Sequence, residues 1–193
     1  MNVPNKLTLG RIVVTPVFIV LLMVKEIPFN FVWAFLVFIL ACITDTIDGK
    51  YARKYDLITD FGKFLDPLAD KVLVIAALIC FIELGLVWAW LVVIIVTREF
   101  LVSGVRLVAS TSGTVIAAGI WGKVKTVTQM VALLIIMGLP AIGQVWPWFN
   151  ALLWSEQAHF MLVSNLLICI STVFAVVSGV QYIWGAKGHL RDN

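Results

Sequence analysis

Six apolar stretches run through the chain, at about 8–24, 29–48, 64–84, 87–108, 122–140 and 160–184. Each approaches the roughly 20 apolar residues that an α-helix needs to cross a bilayer core. Turn-forming or polar segments separate them: Lys25-Glu26-Ile27-Pro28, the run 53–62, Glu83-Leu84-Gly85 and the run 110–113. The longest connection, 140–159, carries Trp146, Trp148 and Trp154. Tryptophan favours the membrane–water boundary, so this segment is expected to be a loop along the outer interface. The pattern predicts an all-α, polytopic membrane protein of six transmembrane helices, forming one domain over residues 1–193. The opening residues, with Pro4 and a capping Asn5 ahead of the first apolar run, suit either a short interfacial helix or a basic flank. No convincing small-residue cleavage site follows the first run, which is read as a retained span.

Composition sharpens this picture. Of 193 residues, 62% are apolar and 13% charged, and the mean hydropathy is +1.04. A soluble domain carries about 45–50% apolar and about 25% charged residues, so a receptor ectodomain, a large soluble catalytic module and a disordered tail are excluded. Cys42, Cys80 and Cys169 lie inside apolar runs at unrelated spacings. They read as packing residues rather than a disulfide or zinc site.

Charge sets the expected orientation. With six spans, the two ends, the second loop and the fourth loop share one side. Of the 14 Lys and Arg residues, all but Lys25 and Arg98 fall there. The positive-inside rule makes that side cytoplasmic. The expected location is the cytoplasmic membrane, with both termini and the acidic cluster facing the cytoplasm. Glu156 and His159 then belong to the outer interface, and Lys187, His189 and Arg191 to a cytoplasmic tail.

Six of the 11 acidic residues, Asp45, Asp48, Asp56, Asp60, Asp66 and Asp70, lie in one segment, DTIDGKYARKYDLITDFGKFLDPLAD. Asp45 and Asp48 close the second apolar stretch at i, i+3, and Asp66 and Asp70 open the third at i, i+4. Both spacings put a pair on one helical face, and consecutive spans are antiparallel, so the two pairs can converge. Carboxylates gathered at the edge of a hydrocarbon layer repel one another, and divalent cations reverse that sign. An all-oxygen donor set suits Mg²⁺ or Mn²⁺, and two such ions can clamp a diphosphate during displacement at phosphorus. Gly49, Ala52 and Gly62 leave room for a nucleotide, and Arg53 is placed to meet a phosphate. Asp56 and Asp60 read as a solvated loop paired with neighbouring Lys and Arg.

At this segment the chain resembles the CDP-alcohol phosphatidyltransferase family, whose pattern is D-x2-D-G-x2-A-R-x8-G-x3-D-x3-D. Asp45, Asp48, Gly49, Ala52, Arg53, Gly62, Asp66 and Asp70 match it with no departure. The resemblance implies transfer of a phosphatidyl group from a CDP-linked donor to an alcohol, with release of CMP. It implies that Asp45, Asp48, Asp66 and Asp70 hold two divalent cations, Mg²⁺ or Mn²⁺, and that Asp70 is the general base. Asp48, Gly49, Ala52, Arg53 and Gly62 would contact the CDP donor. Three further stretches, 5–11, 98–106 and 122–126 with Gln129, resemble the phosphatidylglycerophosphate-forming branch of the family. The implied substrates there are CDP-diacylglycerol and sn-glycerol 3-phosphate, with a homodimer in the bilayer and no nucleic acid as partner.

The residues outside the motif fit a charged acceptor. Arg98 lies deep in the fourth apolar stretch, where a charge marks a functional site by default. Glu99 projects about 100° away and is expected to be a poor direct partner for it. Arg106, eight residues on, returns to within about 80° of the Arg98 face. Lys123 and Lys125 open the fifth stretch. Arg98, Arg106, Lys123 and Lys125 are therefore the candidate cations for the acceptor phosphate. Alternatives are topology-setting flanks for the last three and an interhelical pair for Arg98. At the level of function, the alternatives are another acceptor within the family, such as phosphatidylglycerol in a cardiolipin synthase, or a metal-ion transporter.

Overall fold

The computed structural model describes the backbone of residues 3–54, 60–111, 119–149 and 157–190, and within these the side chains of 10–44, 71–106, 119–149 and 159–185. No strand occurs among the described residues. Six long helices follow one another: α1 (Val3–Met23), α2 (Asn30–Lys54), α3 (Asp60–Glu83), α4 (Ala89–Thr111), α5 (Ile120–Val145) and α6 (Gln157–Leu190). Each coincides with one of the six apolar stretches and extends beyond it at one end or both.

Two of the expected boundaries need correction. The opening residues form no separate interfacial helix, because α1 runs unbroken from Val3 to Met23. Pro4 falls in its first turn, where a missing N–H costs nothing. At the other end, α5 does not stop at Pro140 but continues to Val145, followed by a further helical turn at 147–149. A proline inside a helix removes one backbone bond, and here tertiary contacts offset that loss. Pro140 is fully buried. One turn on, the Gln144 amide donates to Asn30 Oδ1 at 2.6 Å and its Oε1 accepts from the Phe31 N–H at 3.1 Å. Asn30 Nδ2 in turn donates to the Leu22 carbonyl at 3.2 Å. Leu22 O and Phe31 N are helix-end groups that have no partner within their own helices, so one Asn–Gln pair satisfies both.

The chain forms two compact units. The first contains α1, α2, α3 and α5 from Leu134 onward, with α1 packed against both α2 and α3. Phe18, Leu22, Phe38, Leu78, Phe81 and Met137 are fully buried in it, and the Phe18 and Phe38 rings meet at 5.8 Å. The second contains α4, α5 up to Leu133, and α6. Asn165 of α6 secures the entry to α4, accepting from the Trp88 N–H at 2.8 Å and donating to Leu86 O.

α6 buries polar residues beside Phe160, Ile168 and Ala175 and turns apolar ones outward. Ser164, Asn165, Ser171, Thr172 and Ser178 are buried, while Leu162, Leu166, Ile170, Val173 and Val180 are exposed. α1 and α2 likewise expose Val13, Val17 and Val20, and Trp33, Leu36, Leu40 and Ile43. In water this arrangement would be inverted. In lipid it is favourable, because apolar side chains face the tails and small polar residues let helices approach and bond. Ile120–Val145 and His159–Gly185 are each long and apolar enough to cross a membrane. The protein is a membrane protein.

Candidate active site

The acidic motif is carried on two helices of the first unit. Asp45, Asp48, Gly49, Ala52 and Arg53 lie in the C-terminal part of α2, which is helical through Lys54. Asp60, Gly62, Asp66 and Asp70 lie in the N-terminal part of α3. The i, i+3 and i, i+4 intervals are thus true helical intervals, each pair within about one turn along its axis. Asp56 falls outside the described residues, as do the side chains of the motif positions on both helices. The donor chemistry of the motif fits a divalent cation: each helix carries one pair of carboxylates at single-turn spacing, and carboxylates offer only hard oxygen ligands.

The second unit holds the basic residues. Arg98 is half-buried and engaged by partners on its own helix and on α6. Its Nε donates to the Ala175 carbonyl at 3.2 Å, Nη1 to Glu99 Oε1 at 3.0 Å and Nη2 to Ser178 Oγ at 2.8 Å. Gly179 makes room for this crossing, since a Cβ there would lie 3.1 Å from Arg98 Cγ. The same Glu99 Oε1 also pairs with Lys125 Nζ, and Lys125 is only 4% exposed. The expectation that Glu99 is a poor partner for Arg98 is therefore overturned. Both side chains are long enough to close the 100° arc, and Lys125 on α5 draws the carboxylate into the same interior.

About two turns further along α4, Arg106 is exposed. Its guanidinium lies 5.7 Å from the ring centroid of Tyr182. Lys123 is exposed as well. Of the four cations expected to meet an acceptor, Arg98 and Lys125 are thus engaged with one carboxylate inside the unit, while Arg106 and Lys123 open outward. Ser178 and Tyr182 were not singled out from the sequence. The signal that could have found them is the recurrence of polar residues at 164, 165, 171, 172, 178 and 182, a near-helical period inside an otherwise apolar run.

Comparison with known proteins agrees with the motif. The CDP-alcohol phosphatidyltransferase family model matches residues 1–177. A CDP-diacylglycerol–glycerol-3-phosphate 3-phosphatidyltransferase of Bacillus subtilis (strain 168) is 40% identical over 194 residues, covering 94% of this chain and 93% of that protein. One of Haemophilus influenzae is 34% identical, covering 100% of this chain and 97% of that protein. A probable phosphatidylglycerophosphate synthase of Mycobacterium tuberculosis is 37% identical, covering 99% and 83%. With an uninterrupted aspartate motif on two helices and matches along nearly its whole length, this chain belongs to the CDP-alcohol phosphatidyltransferase family.

Proposed function

We propose that the protein transfers the phosphatidyl group of CDP-diacylglycerol to sn-glycerol 3-phosphate, giving phosphatidylglycerophosphate and CMP. The observation that carries this reading is the complete motif from Asp45 to Asp70 on the helical backbones of α2 and α3. The names of the relatives, matched over nearly their full lengths, support the choice of donor and acceptor.

In this reading Asp45, Asp48, Asp66 and Asp70 hold two divalent cations, Mg²⁺ or Mn²⁺, which when bound supply charge neutralisation at the diphosphate. Asp48, Gly49, Ala52, Arg53 and Gly62 receive the CDP part of the donor. Asp70 accepts the proton from a hydroxyl of glycerol 3-phosphate as its oxygen attacks the phosphatidyl phosphorus. The bond from that phosphorus to the CMP oxygen breaks, and CMP leaves. Arg106 and Lys123 offer the acceptor phosphate the cations it needs, and Arg guanidinium suits a phosphate in a forked geometry. Arg98 and Lys125 contribute indirectly, by fixing the helices that carry the other two.

The same proposal includes six membrane spans, both termini and the aspartate motif at the cytoplasmic face, and a homodimer. The spans and their orientation are supported by the one-sided distribution of Lys and Arg and the apolar outer faces of the helices, and the homodimer by the family resemblance alone. The test is CMP release from CDP-diacylglycerol by the purified protein with a panel of acceptors. Glycerol 3-phosphate should support turnover, and phosphatidylglycerol and serine should not. Turnover with phosphatidylglycerol alone would keep the family and replace the acceptor. Ion flux into proteoliposomes without CMP release would overturn the enzyme reading.

A further inference from the structure

The polar interior of the second unit is satisfied unevenly. On α6 the buried positions Ser164, Ile168, Ser171, Ala175 and Ser178 alternate by four and three residues, so they share one face of the helix. That face lies along α4, since Trp88 meets Asn165, Arg98 meets Ala175 and Ser178 and Arg106 meets Tyr182, in step along both helices. Some hydroxyls there have partners. Thr172 donates to Ile168 O at 2.8 Å, and Ser178 donates to Ala175 O at 3.0 Å while accepting from Arg98. Ser171 is fully buried, yet its Oγ has no hydrogen-bond partner among the described residues. Gln129 of α5 is only 3% exposed, and its Nε2 is likewise unpartnered there. Native proteins retain few such groups.

The two groups lie one turn from the same anchor. Gln129 follows Lys125 by four residues, and Lys125 pairs with Glu99 beside Arg98. Ser171 precedes Ala175 by four residues, and Ala175 O accepts from Arg98 Nε. It also precedes Phe174 by three residues, and that ring stacks on Trp121 of α5. Ser171 therefore sits on the part of α6 turned toward both α4 and α5. α6 runs along α4, whereas α5 follows α4 after a short connection and returns in the opposite direction. A turn forward on α5 and a turn back on α6 thus lead the same way from the ion cluster.

We infer that Gln129 and Ser171 hold an ordered water molecule between α5 and α6, which accepts from Gln129 Nε2 and donates to Ser171 Oγ. The two atoms do not bond each other, and together they supply the two polar partners that a buried water requires. Such a water is enclosed when the helices associate and needs no open route from solvent. It extends the polar contacts of the Glu99 cluster by one turn, and it does not depend on which acceptor the enzyme uses.

The direct test is a structure of the intact protein at a resolution that shows ordered waters. The expected result is a water within about 3.2 Å of the polar side-chain atoms of both residues. Direct contact between Gln129 and Ser171, or dry packing around them, would overturn the inference. A double-mutant cycle on melting temperature in detergent gives a second test, with Gln129→Leu, Ser171→Ala and the two combined. Each single variant should melt about 2–4 °C lower, because one bond to the water is lost and the other partner is stranded. The double variant should melt no lower than the less stable single one, since both changes remove the same water. Ser164 Oγ is also unpartnered among the described residues, and Ser164→Ala should act independently of Gln129→Leu. A higher melting temperature for Gln129→Leu would show that Nε2 is simply unpaired, and losses that add would give the two groups separate partners. Either result, or coupling to Ser164 in place of Ser171, overturns the inference. The first measurement uses the unaltered protein and decides the matter even where a variant does not fold.

Discussion

Arg98 and Arg106 share one helix and lie about two turns apart, yet their surroundings differ in kind. Arg98 is held by a backbone carbonyl, a serine hydroxyl and a carboxylate that Lys125 also claims. Arg106 rests on a tyrosine ring and opens outward. A charge in a bilayer must find partners, and when the protein itself supplies them the residue becomes part of the packing. When the protein supplies only a ring face, hydrogen-bonding capacity is left for a ligand. Depth in the helix alone would make Arg98 the functional residue. Its partners give it a structural role, and in the proposed function Arg106 is the cation left for substrate. The same distinction separates the acidic residues: Glu99 is neutralised by two cations inside the second unit, while the motif aspartates form pairs of like charge on α2 and α3.

The largest effect is expected at the motif. Asp70→Asn should lower kcat by about 10²–10⁴-fold, the range for loss of a general base, while the protein still inserts in the membrane. Treatment with EDTA should abolish CMP release, and Mg²⁺ or Mn²⁺ should restore it. Near-normal turnover by Asp70→Asn would remove it from the chemistry.

Next in size is the interior carboxylate. Glu99→Gln leaves Lys125 charged and nearly fully buried, and breaking a buried pair in this way costs about 3–5 kcal/mol. The expected outcome is a clearly lower melting temperature in detergent. Glu99→Gln combined with Lys125→Met should recover much of that loss, because both partners are then neutral. If the double variant is as unstable as the sum of its parts, the pair is not the source of the stability.

How much of this was legible beforehand depends on how local the signal is. All six helices could be read from hydropathy, since each apolar stretch is a property of contiguous residues. The aspartate motif was legible for the same reason, being fixed spacings within one short segment. The end of α5 was not, because Pro140 is a local stop signal overruled by Gln144 bonding to Asn30 and Phe31, residues more than a hundred positions away in the chain. The Arg98 site was half legible. Its burial in an apolar run marked it as unusual, but its partners on α6 and the carboxylate shared with Lys125 arise only when α4, α5 and α6 come together. Helical-wheel geometry spoke against Glu99 as a partner because it fixes the direction of the Cα–Cβ bond and takes no account of side-chain length.

The division of labour on α4 is tested most directly by measuring melting temperature and the KM for glycerol 3-phosphate side by side for Arg98→Gln and Arg106→Gln. Arg106→Gln should raise KM about tenfold, roughly 1.4 kcal/mol, at a nearly unchanged melting temperature. Arg98→Gln should lower the melting temperature and leave KM within about twofold of the wild type while the protein remains folded. A stable Arg98→Gln variant with a tenfold higher KM, beside an Arg106→Gln variant with normal kinetics, would contradict the account.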